Sequence, residues 1–161
     1  MRFQELLAYG LAEKETYKKW VKKAKKSNAR ALDQQFHTLH EQVFRKVDCL
    51  SCANCCKTTS PIFRDIDIKR LSKYLRTSER NFIDSYLKID EEGDYVLKSS
   101  PCPFLGSDNY CSVYEERPLA CREYPHTNRK NMFQILDLTR KNMEICPAVT
   151  LMMQEISKKI T

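Results

Sequence analysis

Residues 49–56 read Cys49-Leu50-Ser51-Cys52-Ala53-Asn54-Cys55-Cys56, four cysteines in eight positions. Two-residue spacing lets successive thiolates turn inward onto one ion or cluster, and their pKa values fall as the metal binds. Buried thiols acting as small hydrophobes are the bland alternative, but Ser51, Asn54 and Lys57 make these surroundings polar. The stretch therefore reads as the start of an irregular, cysteine-rich metal-binding centre.

Working outward, the remaining cysteines are Cys102, Cys111, Cys121 and Cys146, too scattered for a local motif and gathered only if the fold does so. Eight thiols allow two tetrads, and a structural zinc site takes four Cys, or Cys plus His, in a tetrahedron. The side chains of Cys55 and Cys56 diverge from neighbouring positions, so the two serve different sites or one is a spare. Iron–sulfur ligation is the rival to zinc. Ferredoxin-type [4Fe–4S] sites combine a C-x2-C-x2-C triplet with a further Cys followed by Pro. Cys49, Cys52 and Cys55 have that spacing, and Cys102-Pro103 and Cys146-Pro147 are both Cys-Pro pairs, while the adjacent Cys56 departs from the ferredoxin run. Of the histidines, only His126 is near a cysteine in sequence; His37 and His40 read as a polar helix face.

The chain has 161 residues, a formal charge of +7, 42% hydrophobic and 10% aromatic residues. That length suits one domain able to bury a core without staples. The composition excludes a disordered chain, and three glycines exclude collagen-like or linker material. No apolar stretch approaches the roughly 18–20 residues needed to cross a bilayer, and the start, MRFQELLAYGLAEKE, meets acidic residues before any long apolar run. The expectation is a cytoplasmic protein without membrane contact, in a compartment where disulfides do not persist and cysteines serve as metal ligands or redox thiols.

Charge is concentrated ahead of the cysteines. Lys14, Lys18, Lys19, Lys22, Lys23, Lys25, Lys26 and Arg30 face a single acid, Glu15, within residues 14–30, and the rest of the chain is neutral in sum. Tyr17, Trp20, Val21, Ala24, Ala31, Phe36, Leu39 and Val43 recur mostly at helical steps, which predicts helix over 13–47 with a bend or junction at Ser27-Asn28, good N-cap types. The reading is one domain, 1–161, made of a basic helical arm (1–48) and a cysteine-bearing body (49–161).

Within the body, residues 65–75 read as a helix opened by acids, and Ser78 caps a second running through Leu87, with Ile68, Leu71, Leu75, Phe82, Ile83 and Tyr86 inward. Glu91 to Asp94 is a turn, Tyr95-Val96-Leu97 a short strand and Phe133 to Leu138 its expected partner. Val149, Met152, Met153, Ile156 and Ile160 predict a C-terminal helix. The fold class is thus mainly α with a small β element. Four thiolates on one zinc leave a charge of about −2, so Arg117, Arg122 and Lys57 are candidates to balance the site and donate N–H···S bonds, against ordinary salt bridges to Glu115, Glu116 or Glu123.

Taken together, Cys49-x2-Cys52-x2-Cys55-Cys56, Cys102-Pro103-Phe104-Leu105, Cys111-Ser112-Val113-Tyr114, Arg117-Pro118, Cys121-Arg122-x-Tyr124-Pro125 and Cys146-Pro147 resemble the YkgJ-type cysteine-cluster (CxxCxxCC) family over roughly residues 49–147. The resemblance implies zinc or iron chelation by Cys49, Cys52, Cys55, Cys56, Cys102, Cys111, Cys121 and Cys146. The cluster also resembles that of flagellin lysine N-methylases, but no Gly-rich loop follows a strand here, so methylation is not carried over.

The expected function is a small monomeric metalloprotein holding a [4Fe–4S] cluster or zinc, with electron transfer or metal handling in view and a protein partner still unknown. The alternative is a zinc-stabilised nucleic-acid-binding module, its basic arm on phosphates and Trp20, Tyr17 or Tyr9 on bases. A hydrolytic enzyme would need an open metal position and a nearby base; Glu123 and Asp108 are available, but nothing in the sequence places them at the metal.

Overall fold

The computed structural model describes residues 2–160. In chain order its elements are α1 (Phe3–Ala12), α2 (Lys14–Ala24), α3 (Ala29–Phe44), α4 (Cys49–Cys52), α5 (Asn54–Thr58), α6 (Asp65–Tyr74), α7 (Glu79–Tyr86), β1 (Leu87–Ile89), β2 (Tyr95–Leu97), α8 (Leu119–Glu123), α9 (Leu136–Asn142) and α10 (Pro147–Ser157). The protein is mostly helical with one two-stranded antiparallel sheet, as its sequence predicts. It divides into two compact units, residues 1–49 with 125–161, and residues 50–124.

The first unit is helical. The apolar positions of α2 put Tyr17, Trp20, Val21 and Ala24 inside, and those of α3 put Leu32, Phe36, Leu39 and Val43 beside Met132, Leu136, Met143 and α10 residues Val149, Met152, Met153 and Ile156 in one buried cluster. The break between α2 and α3 falls where the cap types predict it: the Asn28 side chain accepts the Ala31 N–H at 2.9 Å. Trp20 closes the cluster through its indole N–H, donated to the Ile160 carbonyl at 3.1 Å. Pro147 at the first turn of α10 suits a position with no helical donor to lose. The α2 lysines are exposed around this buried stripe. Tyr17 and Trp20, however, are 4% and 8% exposed, so neither ring is available to stack on a base; they anchor the arm to the core.

Gly10 is the point of closest approach in this unit. A Cβ there would stand 2.4 Å from the Met143 carbonyl oxygen. Only glycine lets α1 lie against the start of α10 at this depth.

The second unit has its own smaller cluster, Phe63, Ile68, Leu71, Phe82, Leu87, Leu97, Phe104 and Val113, with Leu75, Ile83 and Tyr86 packed at its edge. Ser78 caps α7 by accepting the Asn81 N–H at 3.1 Å, but the helix stops at Tyr86, and Leu87 already belongs to β1. β1 pairs with β2 in the register Leu87↔Leu97, Lys88↔Val96, Ile89↔Tyr95. Phe133–Leu138 is therefore not the strand partner of Tyr95–Leu97. That segment is a 3-10 turn followed by α9, with the Thr139 hydroxyl bonded to the Ile135 carbonyl at 3.0 Å. Leu87–Ile89 lies one turn away, so its pairing closes a short loop at small entropic cost, with Asp90 Oδ1 accepting the Glu92 and Asp94 N–H groups at 2.9 Å.

Candidate metal centre

The cysteine-rich stretch folds as two short helical turns, α4 and α5, joined at Ala53, whose left-handed backbone (φ 48°, ψ 17°) reverses the chain between Cys52 and Cys55. Ala53 is buried despite that conformation. Hydrogen bonds hold α5 shut at its end: the Thr59 N–H and hydroxyl both reach the Cys55 carbonyl, at 2.9 and 2.8 Å. All eight cysteines are thiols, with no disulfide among them.

Cys52, Cys55, Cys56, Cys102, Cys111 and Cys121 belong to the second unit, whereas Cys49 and Cys146 belong to the first. Within the second unit, four thiols from four separate segments act on one another. The Cys102 N–H donates to the Cys56 carbonyl at 2.8 Å, pinning the segment after β2 to α5. Residues 104–112 then fold back on themselves through a Leu105↔Cys111 bridge, with the Ser112 N–H on the Phe104 carbonyl at 2.8 Å. Cys102 and Cys111 pack against the same small apolar cluster. Cys121 sits in α8, whose preceding residues are fixed by α6: Asp67 Oδ1 accepts the Leu119 N–H at 3.3 Å, and Arg70 donates to the Glu116 and Arg117 carbonyls at 3.3 and 3.0 Å.

The electrostatics of these thiols is uneven. The Cys56 thiol is lowered to about 7, first by a hydrogen bond from Cys55, against the opposing effect of burial and with help from the Lys57 charge. Burial pushes Cys121 up to about 12, and the charges of Cys56, Cys102 and Cys111 add to the rise. Cys102 and Cys111 are also raised by burial and then by Cys56, although the N–H groups of Phe104 and Leu105 favour the Cys102 thiolate and that of Val113 the Cys111 thiolate. Backbone amides aimed at sulfur are what a metal-thiolate turn needs to spread its charge.

Arg117 and Arg122 serve the backbone of this region. Arg117 donates to the Tyr114 carbonyl and lies 3.8 Å over the Tyr114 ring; its charge also favours the thiolates of Cys111 and Cys121. Arg122 donates to the Arg117 and Glu115 carbonyls at 3.1 and 2.6 Å, clasping the turn ahead of Cys121. In the first unit His37 and His40 bond the Arg129 carbonyl and the Thr127 hydroxyl, each at 2.8 Å.

The donor set, thiols throughout, suits the soft-ligand chemistry of zinc and iron–sulfur centres. No three His, Cys, Asp or Glu side chains among the described residues stand in ligating geometry. The residue that sequence reasoning missed is Asp67. Its helical position marks it as an N-terminal acid, and only the fold shows that its carboxylate supports the segment leading to Cys121.

No curated protein and no solved structure matches the chain significantly. A family model does match, over residues 48–147, a span that takes in all eight thiols. The chain belongs to the CxxCxxCC family, described as a "putative zinc- or iron-chelating domain".

Proposed function

We propose that this chain is a small metalloprotein that holds a [4Fe–4S] cluster or zinc in thiolate ligation, the metal being integral to the fold of residues 50–124. The observation that carries the reading is that Cys102 and Cys111 pack against one small apolar cluster, while the charges of Cys56, Cys102 and Cys111 all act on the buried thiol of Cys121. Burying thiols so close that they raise one another's pKa is costly for stability alone, and a bound cation removes that cost by stabilising all the thiolates together.

A bound iron–sulfur cluster would supply one-electron chemistry, whereas zinc would supply a scaffold. The chain's own part is the same in both cases. The eight cysteines are the candidate ligands. The Phe104, Leu105 and Val113 amides direct N–H dipoles at sulfur. Arg117 offsets negative charge beside Cys111 and Cys121, and Arg122 fixes the turn that carries Cys121. The role that fits is electron transfer or metal handling by a monomer in a reducing compartment.

The test is anaerobic purification followed by an absorption spectrum, metal analysis and acid-labile sulfide on one sample. A brown protein absorbing near about 400 nm, with iron matched by sulfide, identifies the cluster. A colourless protein with zinc and no sulfide identifies the scaffold site. A metal-free chain that keeps its fold overturns the proposal.

A further inference from the structure

Residues 14–30 carry the whole formal charge of the chain, +7, and the fold of the first unit fixes where that charge points. At about 100° per residue, the buried Tyr17, Trp20, Val21 and Ala24 of α2 take up an arc of about 100° and sit in the apolar core. Lys14, Lys25, Lys18, Lys22, Lys19 and Lys23 follow one another round the opposite half of the helix, an arc of about 180°, and each is exposed. Lys18 stands 3.7 Å from Glu15 and Lys25 2.5 Å from Asp137, both pairs open to water, while Lys14, Lys19, Lys22 and Lys23 hold no acid among the described residues. Exposed pairs of this kind neutralise little. α2 is seated through the Trp20 indole N–H on the Ile160 carbonyl at 3.1 Å, and it ends at the junction that Asn28 caps. The lysines therefore form a half-cylinder of positive charge about 16 Å long, at about 1.5 Å per residue.

The shape of that surface selects its partner. A bilayer is flat and meets a helix along one strip, and helices that lie on membranes bury an apolar face among the headgroups, whereas the apolar face of α2 is already in the core. Single strands are held by exposed rings as well as by charge, and α2 has none, Tyr17 and Trp20 being buried. The major groove of B-form DNA is about 12 Å wide and admits an α-helix, with phosphates along both walls, so lysines pointing to both sides of one helix meet anions on both sides. The major groove of duplex RNA is too deep and narrow for that. We propose that the basic face of α2 docks on double-stranded DNA, lying in the major groove with its lysines on the phosphates of both walls, as a sequence-independent contact. Lysine acts as a point charge, and α2 presents no Asn, Gln or Arg to read base edges. The proposal does not depend on the metal reading, since every residue it uses lies in residues 1–49 with 125–161.

The test uses the full-length protein, purified anaerobically, and fluorescence anisotropy with labelled DNA duplexes of two unrelated sequences, one of their single strands and the matching RNA duplex. Flotation with phosphatidylcholine–phosphatidylserine vesicles and competition by poly-glutamate cover a lipid surface and an acidic protein. Both DNA duplexes should bind alike and more tightly than the other probes. Each phosphate contact adds about −0.9 to the slope of log K against log salt, so about five contacts predict a loss of about 500-fold between about 50 and 200 mM salt. The triple variant Lys19→Gln, Lys22→Gln, Lys23→Gln should weaken both duplexes equally and reduce that slope by about 3. The triple variant Lys69→Gln, Lys73→Gln, Lys88→Gln, which removes the same charge from exposed positions of the other unit, should leave the slope unchanged.

Where the first variant fails to fold, the wild-type chain gives the answer through lysine acetylation read by mass spectrometry. Duplex DNA should protect Lys19, Lys22 and Lys23 and leave Lys69, Lys73 and Lys88 reactive. The proposal is overturned by no binding to either DNA duplex at about 50 mM salt, by protection of both lysine sets alike, or by equal effects of the two triple variants. Tighter binding to the vesicles, to poly-glutamate, to the single strand or to duplex RNA overturns it as well, and so does a preference for one of the two DNA sequences. None of these outcomes bears on whether the thiols hold a metal.

Discussion

Asp67 Oδ1 accepts the backbone N–H of Leu119 at 3.3 Å, a bond that spans 52 residues and ends two positions before Cys121. The same carboxylate, with none of its side chain exposed, is held by Arg70 at 2.8 Å and by Arg64 at 2.9 Å. Three points of the chain thus meet on one buried charge: the N-cap of α6, its second turn, and the start of α8. Removing one partner of a buried ion pair leaves the other charge uncompensated, which typically costs about 3–5 kcal/mol. Asp67→Asn, which preserves shape but not charge, should therefore lower unfolding stability by on the order of 3 kcal/mol in urea titration. It should also raise hydrogen exchange between Arg117 and Cys121. By contrast, Glu15→Gln, at a pair exposed on both sides, should change stability by less than about 1 kcal/mol. Equal effects from the two variants would show that the Asp67 cluster is not structural.

Burial by itself raises the Asp67 pKa, but the hydrogen bonds from Arg64, Arg70 and the Leu119 amide outweigh it and hold the carboxyl well below the usual carboxylate range. A group depressed in the folded state contributes stability that is complete above its unfolded pKa, about 3.9 for Asp, and is lost as pH falls through the folded value. The stability gap between wild type and Asp67→Asn, both stripped of metal and kept reduced, should thus stay level from neutral pH to about pH 5 and narrow below about pH 4. A gap that stays constant down to pH values well below the ordinary carboxylate range would contradict the assignment.

Gly10 gives a sharper packing test because the obstacle is backbone. The Cβ of Gly10→Ala would lie 2.4 Å from the Met143 carbonyl oxygen and 2.8 Å from its carbon, and that oxygen is already engaged by the Thr150 hydroxyl at 2.9 Å. Either α1 lifts or the turn after α9 shifts, at about 1–3 kcal/mol for overpacking. Thermal unfolding should fall by roughly 2–4 °C per kcal/mol for a chain of this size. An unchanged melting temperature would mean that α1 is not seated as described.

The helices were legible because their signals are local. Asn28 and Ser78 cap where their chemistry says, and the stripe Tyr17, Trp20, Val21, Ala24 is buried as its spacing requires. The strand Tyr95–Leu97 was legible too, but not its partner. Phe133-Gln134-Ile135 has the residue types of a strand, yet the neighbouring Met132 and Leu136 are wholly buried in the helical cluster, and tertiary packing overrides propensity there. At the candidate site, the sequence supplied the thiols and their number. The proximity of Cys56, Cys102, Cys111 and Cys121 was not legible, because it depends on the Cys102–Cys56 backbone bond and on Asp67, neither of which leaves a periodic trace.

The unequal thiols give a chemical prediction for protein stripped of metal. Cys56, lowered to about 7 chiefly by the Cys55 hydrogen bond, should be the thiol among Cys56, Cys102, Cys111 and Cys121 that reacts with iodoacetamide at neutral pH, with a half-maximal rate near that value. Cys121, raised to about 12 by burial and neighbouring thiolates, should stay unmodified until the unit opens. Cys55→Ala should slow Cys56 at pH 7 by removing the hydrogen bond that favours its thiolate. Peptide mass spectrometry over a pH series reads all three. Faster labelling of Cys121 than Cys56 in the folded, stripped chain would refute this order.

Metal removal should act unequally on the two units. Residues 1–49 with 125–161 bury the large cluster built on Phe36, Met152 and Ile156. Residues 50–124 rely on the smaller cluster around Phe82 and Phe104, with short helices and few strand bonds, so their share of apolar burial is lower and a bound metal contributes correspondingly more of the folding free energy. Hydrogen exchange after chelation should therefore show protection lost across α5, the 102–112 fold-back and α8, while α3 and α10 keep theirs. Protection unchanged in both units after complete metal removal would show that the metal is bound without being structural. Equal loss in both would show that the helical unit also depends on metal, with Cys49 and Cys146 as its own candidate ligands.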